Sequence, residues 1–401
     1  MVKLFALIGL LALTPMAARA SGPDWIATWG ASPAPPLTPS ATAPPALAFE
    51  DQTLVQVVRL SAGGRRLRLR LSNAYGSAPL QIGAVRVALL DAGGLATGDR
   101  AVTFSGAPTV TIPVGAPLLS DAIDLKTGPL AKLRVAIYLP GKVALCTCHM
   151  SGGETALVSP PGDYTQRPIP PTAGKSPKTF RAFLTGVEVQ GAMKGPVIVA
   201  FGDSITEGYL STNDADRRWP DRLAERLAAR GHAAVVNAGI GGNRILADGS
   251  VPIFGVSALA RFDRDALAIP GATHLILLEG VNDIGSAGAT PPTAQALIAG
   301  FRQMIVRAHD RGLKVIGGTI LPYEGANYFK PVGEAVRQAV NAWIRAGGEF
   351  DGVIDFDAAI RDPANPSRMR AELQSGDWLH PNDAGYRVMG DAVNLKLFAG
   401  R

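Results

Sequence analysis

From about residue 53 the chain alternates apolar and polar positions with a period of two. The clearest run, "RLRLRLS" (66–72), puts Leu67, Leu69 and Leu71 on one face and Arg66, Arg68 and Arg70 on the other, as a half-buried strand requires. Comparable runs follow at "IGAVRVALL" (82–90), "PTVTIPV" (108–114) and "KLRVAIYLP" (132–140), with Gly, Asn and Pro turns between them. "TFRAFLTGVEVQG" (179–191) reads as one more strand. With no long helical pattern between them, these runs predict an antiparallel β-sandwich domain over residues 51–192. Before it, the proline-rich "PAPPLTPSATAPPAL" (33–47) predicts an extended lead-in over 21–50. A second proline-rich stretch, 159–177, reads as a long loop.

Beyond residue 193 strand and helix patterns alternate. "PVIVAFG" (196–202), "AAVVNAG" (233–239), "ATHLILLEGVND" (272–283), "KVIGGTI" (314–320) and "GVIDFDAAI" (352–360) read as strands. Between them, 218–231, 293–312 and 332–347 have helical spacing, with Pro220 suited to a first turn and Gly231 to a C-cap. Short links between alternating strands and helices predict an α/β domain over 193–401, a parallel sheet covered on both faces. In such sheets chemistry gathers at the carboxyl ends of the strands.

Composition adds three points. Residues 1–20 join Lys3 to an apolar run and end in "MAARA", with Ala18 and Ala20 at the −3 and −1 positions of a cleavage site. That is the plan of a secretory signal peptide, so the mature chain is expected to be exported to the periplasm or the medium, with no stable membrane insertion. The formal charge is +6, but the arginines are scattered, which argues against a nucleic-acid partner. The two cysteines, Cys146 and Cys148, stand one residue apart. A strained or redox-labile disulfide and a free pair are both open there, with a metal site using His149 a distant third.

Candidate chemistry begins at "VIVAFGDSITEGY" (197–209), where a buried-strand pattern ends at Ser204 and a helix start follows. Three more segments each come after a strand or before a helix: Gly241-Gly242-Asn243, Asn282, and "DWLHPNDAGY" (377–386). A serine hydroxyl needs an adjacent base to attack a carbonyl. His380 is the candidate base, and Asp377, three residues before it, can accept the Nδ1 hydrogen. The oxyanion of acyl transfer needs donors; the backbone N–H groups of Ser204 and Gly242 and the Asn282 amide can supply them, with Gly241 competing for the glycine role. Asp203 and Asp283 read as carboxylates that fix loop amides. Tyr209, Trp219, Tyr323 and Trp378 are candidate pocket-lining aromatics, and Arg244 a candidate substrate contact. His149, His232, His274 and His309 read as structural, because none has an acid at useful spacing.

"GDSITEG", "NAGIGGNR", "EGVNDIG" and "DWLHPNDAGY" together resemble, in order, the four sequence blocks of the SGNH hydrolases, the GDSL esterase superfamily. The resemblance covers residues 196–400 and rests on Ser204, Gly242, Asn282 and His380, with Asp377 beside the last. It implies a three-layer α/β/α, flavodoxin-like hydrolase domain, a serine nucleophile, and neither metal nor other cofactor. The sequence departs from the family pattern in having Ile205 where the name-giving motif has leucine, and glycines at 239 and 241 where serines often stand. The N-terminal half resembles the β-rich domain that precedes the hydrolase domain in many exported members.

The sequence therefore predicts an exported serine esterase acting through an acyl-serine on short acyl esters, such as acetyl groups on carbohydrate or small aryl esters. The alternatives are a lysophospholipase or thioesterase for longer chains, and a glycan-binding protein with a decayed hydrolase domain. The expected partner is a small-molecule or glycan ester; oligomeric state is not encoded legibly.

Overall fold

The structure, a computed structural model, describes residues 25–37, 47–168, 172, 179–191, 195–231 and 233–399. The expected signal peptide, His232 and parts of both proline-rich stretches lie outside these residues.

Most of the period-two runs form two antiparallel sheets, while Val110–Ile112 pairs with Leu80–Ile82 in a separate two-stranded ribbon. One orders the strands Trp25–Gly30, Leu184–Gln190, Arg66–Ser72 and Pro117–Leu119; the other orders Ala156–Pro161, Phe49–Arg59, Lys132–Val143, Ala84–Leu90 and Ala96–Ala101. Leu67, Leu69 and Leu71 are fully buried in one apolar cluster with Val87, Val135 and Ile137 of the other sheet. On the opposite face of the Arg66–Ser72 strand, Arg68 Nε donates to Glu188 at 2.6 Å and Arg70 Nη2 at 2.8 Å. The alternation thus sorts leucines to the core and guanidiniums to a cross-strand carboxylate.

One expectation fails here. The lead-in over 21–50 contains the strand Trp25–Gly30, which pairs with Leu184–Gln190, and Phe49 opens the next strand. "WIATWG" is too short for a period to stand out, and its flank is proline-rich. Its stability comes from a partner 163 residues away in sequence, from Ile26 to Val189 across the pair, with a bulge between Ala27 and Trp29. Cys146 and Cys148 are joined by a disulfide and both are buried.

The change from antiparallel to parallel pairing falls between Gln190 and Val197. The five parallel strands Val197–Gly202, Ala234–Gly239, His274–Leu278, Lys314–Gly318 and Gly352–Ile354, numbered in that sequence, lie in the order 2-1-3-4-5. The order reverses beside the first strand, and a crevice for ligands opens at such a point. The helices Trp219–Ala228 and Asp383–Ala392 pack together, as do Ala294–His309 and Pro331–Ala346. Two expected strands are shorter than their apolar runs. The third ends at Leu278, with the helix Val281–Gly285 behind it, and the fifth ends at Ile354. There Asp355 caps the helix Phe356–Ile360, accepting from Ala358 N at 3.0 Å; a short apolar run alone does not separate strand from helix, but a capping aspartate does. The first long helix likewise stops at Ala228, and Gly231 lies beyond its last residue with φ 91°.

The two halves meet over a polar and an apolar contact. Ala27, Val197, Ala234 and Val236 form a small buried cluster, and Val235 N donates to Ser61 Oγ at 2.9 Å. Arg59 of the β-rich half reaches Glu225 at 3.0 Å and lies near Asp216 and Asp221. Among the described residues no helix is long and apolar enough to cross a membrane.

Candidate active site

The strand Val197–Gly202 is buried throughout and ends directly at Asp203. Asp203 caps the one-turn helix Ser204–Glu207, its Oδ1 accepting from Ile205 N at 2.9 Å, so the chain turns sharply and leaves Ser204 as the first helical residue. The capping role agrees with the loop-fixing reading of this aspartate. Burial pushes its carboxyl up to about 7, against the pull of the Ile205 amide and of His380.

One distant segment, the loop holding Asp377 and His380, converges on Ser204. Its hydroxyl is 2.9 Å from His380 Nε2, and His380 Nδ1 is 2.6 Å from Asp377 Oδ2. A carboxylate accepts, so Nδ1 carries the hydrogen and Nε2 is left to accept from the serine hydroxyl. Asp377 Oδ1 also accepts from the backbone N–H groups of His380 at 2.9 Å and Leu379 at 3.0 Å. Burial raises the Asp377 carboxyl, but these hydrogen bonds outweigh it and hold the group well below the ordinary carboxylate range. The loop is closed behind the histidine, where Asn382 caps the helix Asp383–Ala392 and its Nδ2 donates to the Gln374 carbonyl at 3.0 Å. An imidazole held in this way can withdraw the serine proton and return it to a leaving group.

The second and third blocks contact each other. Gly242 has φ 73°, and a Cβ there would collide with the Phe254 ring, so both backbone and space call for glycine. Asn282 is buried and donates through Nδ2 to the Asn243 carbonyl at 3.0 Å. Asp283 accepts from Ile245 N at 2.8 Å and Leu246 N at 3.0 Å, which ties the third block to the loop after the second, as expected of a loop-fixing residue.

The remaining candidates separate. Tyr209 is half exposed and packs edge-on against the His380 ring at 4.9 Å. Trp378 adopts φ 59°, with the Arg368 guanidinium stacked on it at 4.8 Å. Arg244 instead donates to the Asp248 carbonyl of its own loop. Trp219 and Tyr323 are fully buried packing residues. Two histidines read as lacking an acid have one after all: His309 Nε2 lies 2.8 Å from Asp351, and His149 Nε2 lies 3.0 Å from Glu207. In both cases the acid comes from a distant segment, so local spacing carried no sign of it.

Two residues of the site left no trace in the motifs. Arg261 is fully buried, stacks on Phe201 at 3.9 Å, and donates to the carbonyls of Gly202 and Ala238, each at 2.8 Å, and to Asn243 Oδ1 at 2.8 Å. It therefore binds the carboxyl ends of the first two parallel strands to the second block. Its partner Glu279 is buried, which raises that carboxyl well above the ordinary range. Tyr328 brings its hydroxyl to 3.4 Å from Asn282 Oδ1. A lone arginine in "ALARF" and a tyrosine in a loop have no periodic or spacing signal; only the folded chain places them.

The model of the GDSL-like lipase/acylhydrolase family matches residues 200–388. No curated protein matches the chain. Among solved structures, the native aryl esterase of M. smegmatis is 17% identical over 49% of this chain and 95% of its own, with a TM-score of 0.39. The psychrotrophic esterase EstA of Pseudoalteromonas sp. is 18% identical over 49% of this chain and 93% of its own, with a TM-score of 0.38. A GDSL-like lipase of Bacteroides thetaiotaomicron is 19% identical over 50% of this chain and 87% of its own, also with a TM-score of 0.38.

Proposed function

The C-terminal half of this chain belongs to the GDSL-like lipase/acylhydrolase family, the SGNH hydrolases, and acts on ester bonds; on that premise we propose that Ser204 is its nucleophile, His380 its general base and acid, and Asp377 the residue that orients the base. The unbroken hydrogen-bond chain Asp377–His380–Ser204 carries this reading.

In the proposed reaction Ser204 Oγ attacks the ester carbonyl carbon while His380 Nε2 takes the hydroxyl proton. The backbone N–H groups of Ser204 and Gly242 and the Asn282 amide receive the tetrahedral oxyanion. Collapse breaks the bond to the alcohol oxygen, which leaves with the proton from His380, and an acyl-serine remains. Water then attacks the acyl carbon, His380 taking its proton and handing it back to Ser204 Oγ as the acid departs. Asp377 stays ionised throughout and stabilises the imidazolium.

The proposed substrates are short acyl esters, including acetyl groups on carbohydrate and small aryl esters, handled outside the cytoplasm. A buried serine beside the half-exposed Tyr209 ring supports a compact acyl group with a flat or polyhydroxylated alcohol at the mouth. The Cys146–Cys148 disulfide supports export, since such bonds persist in oxidising compartments.

The test is a p-nitrophenyl ester series from acetate to palmitate, run with the wild-type chain and with Ser204→Ala. Activity that falls steeply with acyl length and vanishes in the variant is the expected result. Wild-type turnover in the variant would remove Ser204 from its role, and a maximum at long acyl groups would replace short esters by lipids or thioesters.

A further inference from the structure

The helix that presents Ser204 is one turn long. A single turn has no stability of its own, so its position is set by what holds its far end. That end is gripped by the β-rich half. His149, in the two-residue strand Cys148–His149, brings Nε2 to 3.0 Å from Glu207 Oε1, and the two side chains are only 8% and 4% exposed. The other ring nitrogen, Nδ1, lies 2.9 Å from the Ser32 carbonyl. A carbonyl can only accept, so Nδ1 carries a hydrogen, and the ring is locked with Nε2 aimed at the Glu207 carboxyl.

The next residue is held from the same side. Gly208 has φ 93°, and the Arg218 stem passes where a Cβ would stand. Beyond it the Arg218 guanidinium donates to the Gly152 carbonyl at 3.1 Å and pairs with Glu154, both in the β-rich half. Glu207 also borders the second block, since its Oε2 would lie 2.8 Å from a Cβ on Gly241. The strand carrying His149 is in turn pinned by the disulfide from Cys148 to Cys146, by its pairing with Arg181–Ala182, and by a bridge from Cys148 to Ala34.

A buried histidine–carboxylate pair is a poor way to glue two halves together, because desolvating it offsets much of its attraction. What it supplies is direction: one ring, one carboxyl oxygen, one geometry. We propose that His149 is a positioning residue for the esterase reaction, the β-rich half fixing the Ser204 helix against His380 through the His149–Glu207 pair. The inference rests on Ser204 being the nucleophile.

The test uses the whole chain, with His149→Phe, which keeps the ring shape without the hydrogen bond, and His149→Gln, whose amide can still hydrogen-bond to Glu207. Each is measured for kcat and KM on p-nitrophenyl acetate, for Tm, and for the rate at which an aryl phosphonate labels Ser204. The expected result for His149→Phe is a fall in kcat of about 10- to 100-fold, the range a displacement near 1 Å produces, with KM within about twofold, labelling slowed in step, and kcat largely restored in His149→Gln. A folded His149→Phe with wild-type kcat and labelling overturns the proposal, whatever its Tm. Should His149→Phe fail to fold, Glu207→Leu, which cannot hydrogen-bond to the His149 ring, takes its place: the same split between kcat and KM is expected, and unchanged kcat overturns the proposal. A wild-type chain that is inactive on esters and unlabelled at Ser204 fails differently, removing the nucleophile and the proposal with it.

Discussion

The Asn282 side chain is fixed by the main-chain carbonyl of Asn243, to which its Nδ2 donates at 3.0 Å, while its Oδ1 faces the Tyr328 hydroxyl at 3.4 Å. With the oxygen turned toward Tyr328 and one N–H engaged by Asn243, the second N–H is left to meet an oxyanion. Asn282→Ala is therefore expected to lower kcat by about 10²- to 10³-fold with little change in KM. Steady-state kinetics on p-nitrophenyl acetate will check this; an effect on KM alone would mean that Asn282 binds substrate and not the transition state.

Asp377 fixes the tautomer of His380. Asparagine at 377 can offer an N–H to Nδ1 and so favour the tautomer whose Nε2 already carries a hydrogen and cannot accept the serine proton. Asp377→Asn is expected to reduce kcat on the order of 10²- to 10⁴-fold with the fold intact by circular dichroism. The native carboxyl is held below its ordinary range, so its stabilising contribution is complete above the unfolded value near ~3.9 and is lost only as pH falls through the lower folded value. The difference in Tm between wild type and Asp377→Asn should then be flat from about pH 5 upward.

For Asp203 the sign is reversed. Its carboxyl is pushed up to about 7 by burial, so the folded chain keeps a proton that the unfolded chain releases near pH ~4. Stability falls as pH rises through that window and levels off above it. Asp203→Asn keeps an oxygen to cap Ile205 N but cannot ionise. Its Tm relative to wild type should rise between about pH 4 and pH 8, and a constant difference across that range would show that Asp203 is ionised throughout.

Arg261→Met leaves the carbonyls of Gly202 and Ala238 and the buried Glu279 without their cation. Removing one member of such a buried network costs about 3–5 kcal/mol, which urea unfolding will read directly. Because Gly202 and Asn243 are both released, kcat is expected to fall as well.

The parallel sheet and the acid–base pair were legible because each is written locally. Buried strand runs followed by glycine place Ser204, Gly242 and Asn282 at strand ends, and Asp377 stands three residues from His380, within reach of one loop turn. The strand Trp25–Gly30 escaped notice because six residues beside a proline-rich stretch show no period, and the helix Phe356–Ile360 because its apolar run is compatible with a strand. Arg261, Tyr328 and the His149–Glu207 pair were invisible for a different reason. Their partners are set by tertiary packing, and no spacing along the chain encodes which distant carboxyl a buried histidine will meet.

The hydrogen bond from Ser204 to His380 joins residues 176 positions apart, whereas that from His380 to Asp377 spans three. The base and its acid can thus come together in a short turn while the rest of the domain is still assembling, and loop-closure entropy weighs almost wholly on the serine contact. Regain of ester hydrolysis during refolding consequently times a single late event, the seating of the Asp377–His380 loop beside Ser204, and a refolding clock based on activity should run behind one based on secondary structure.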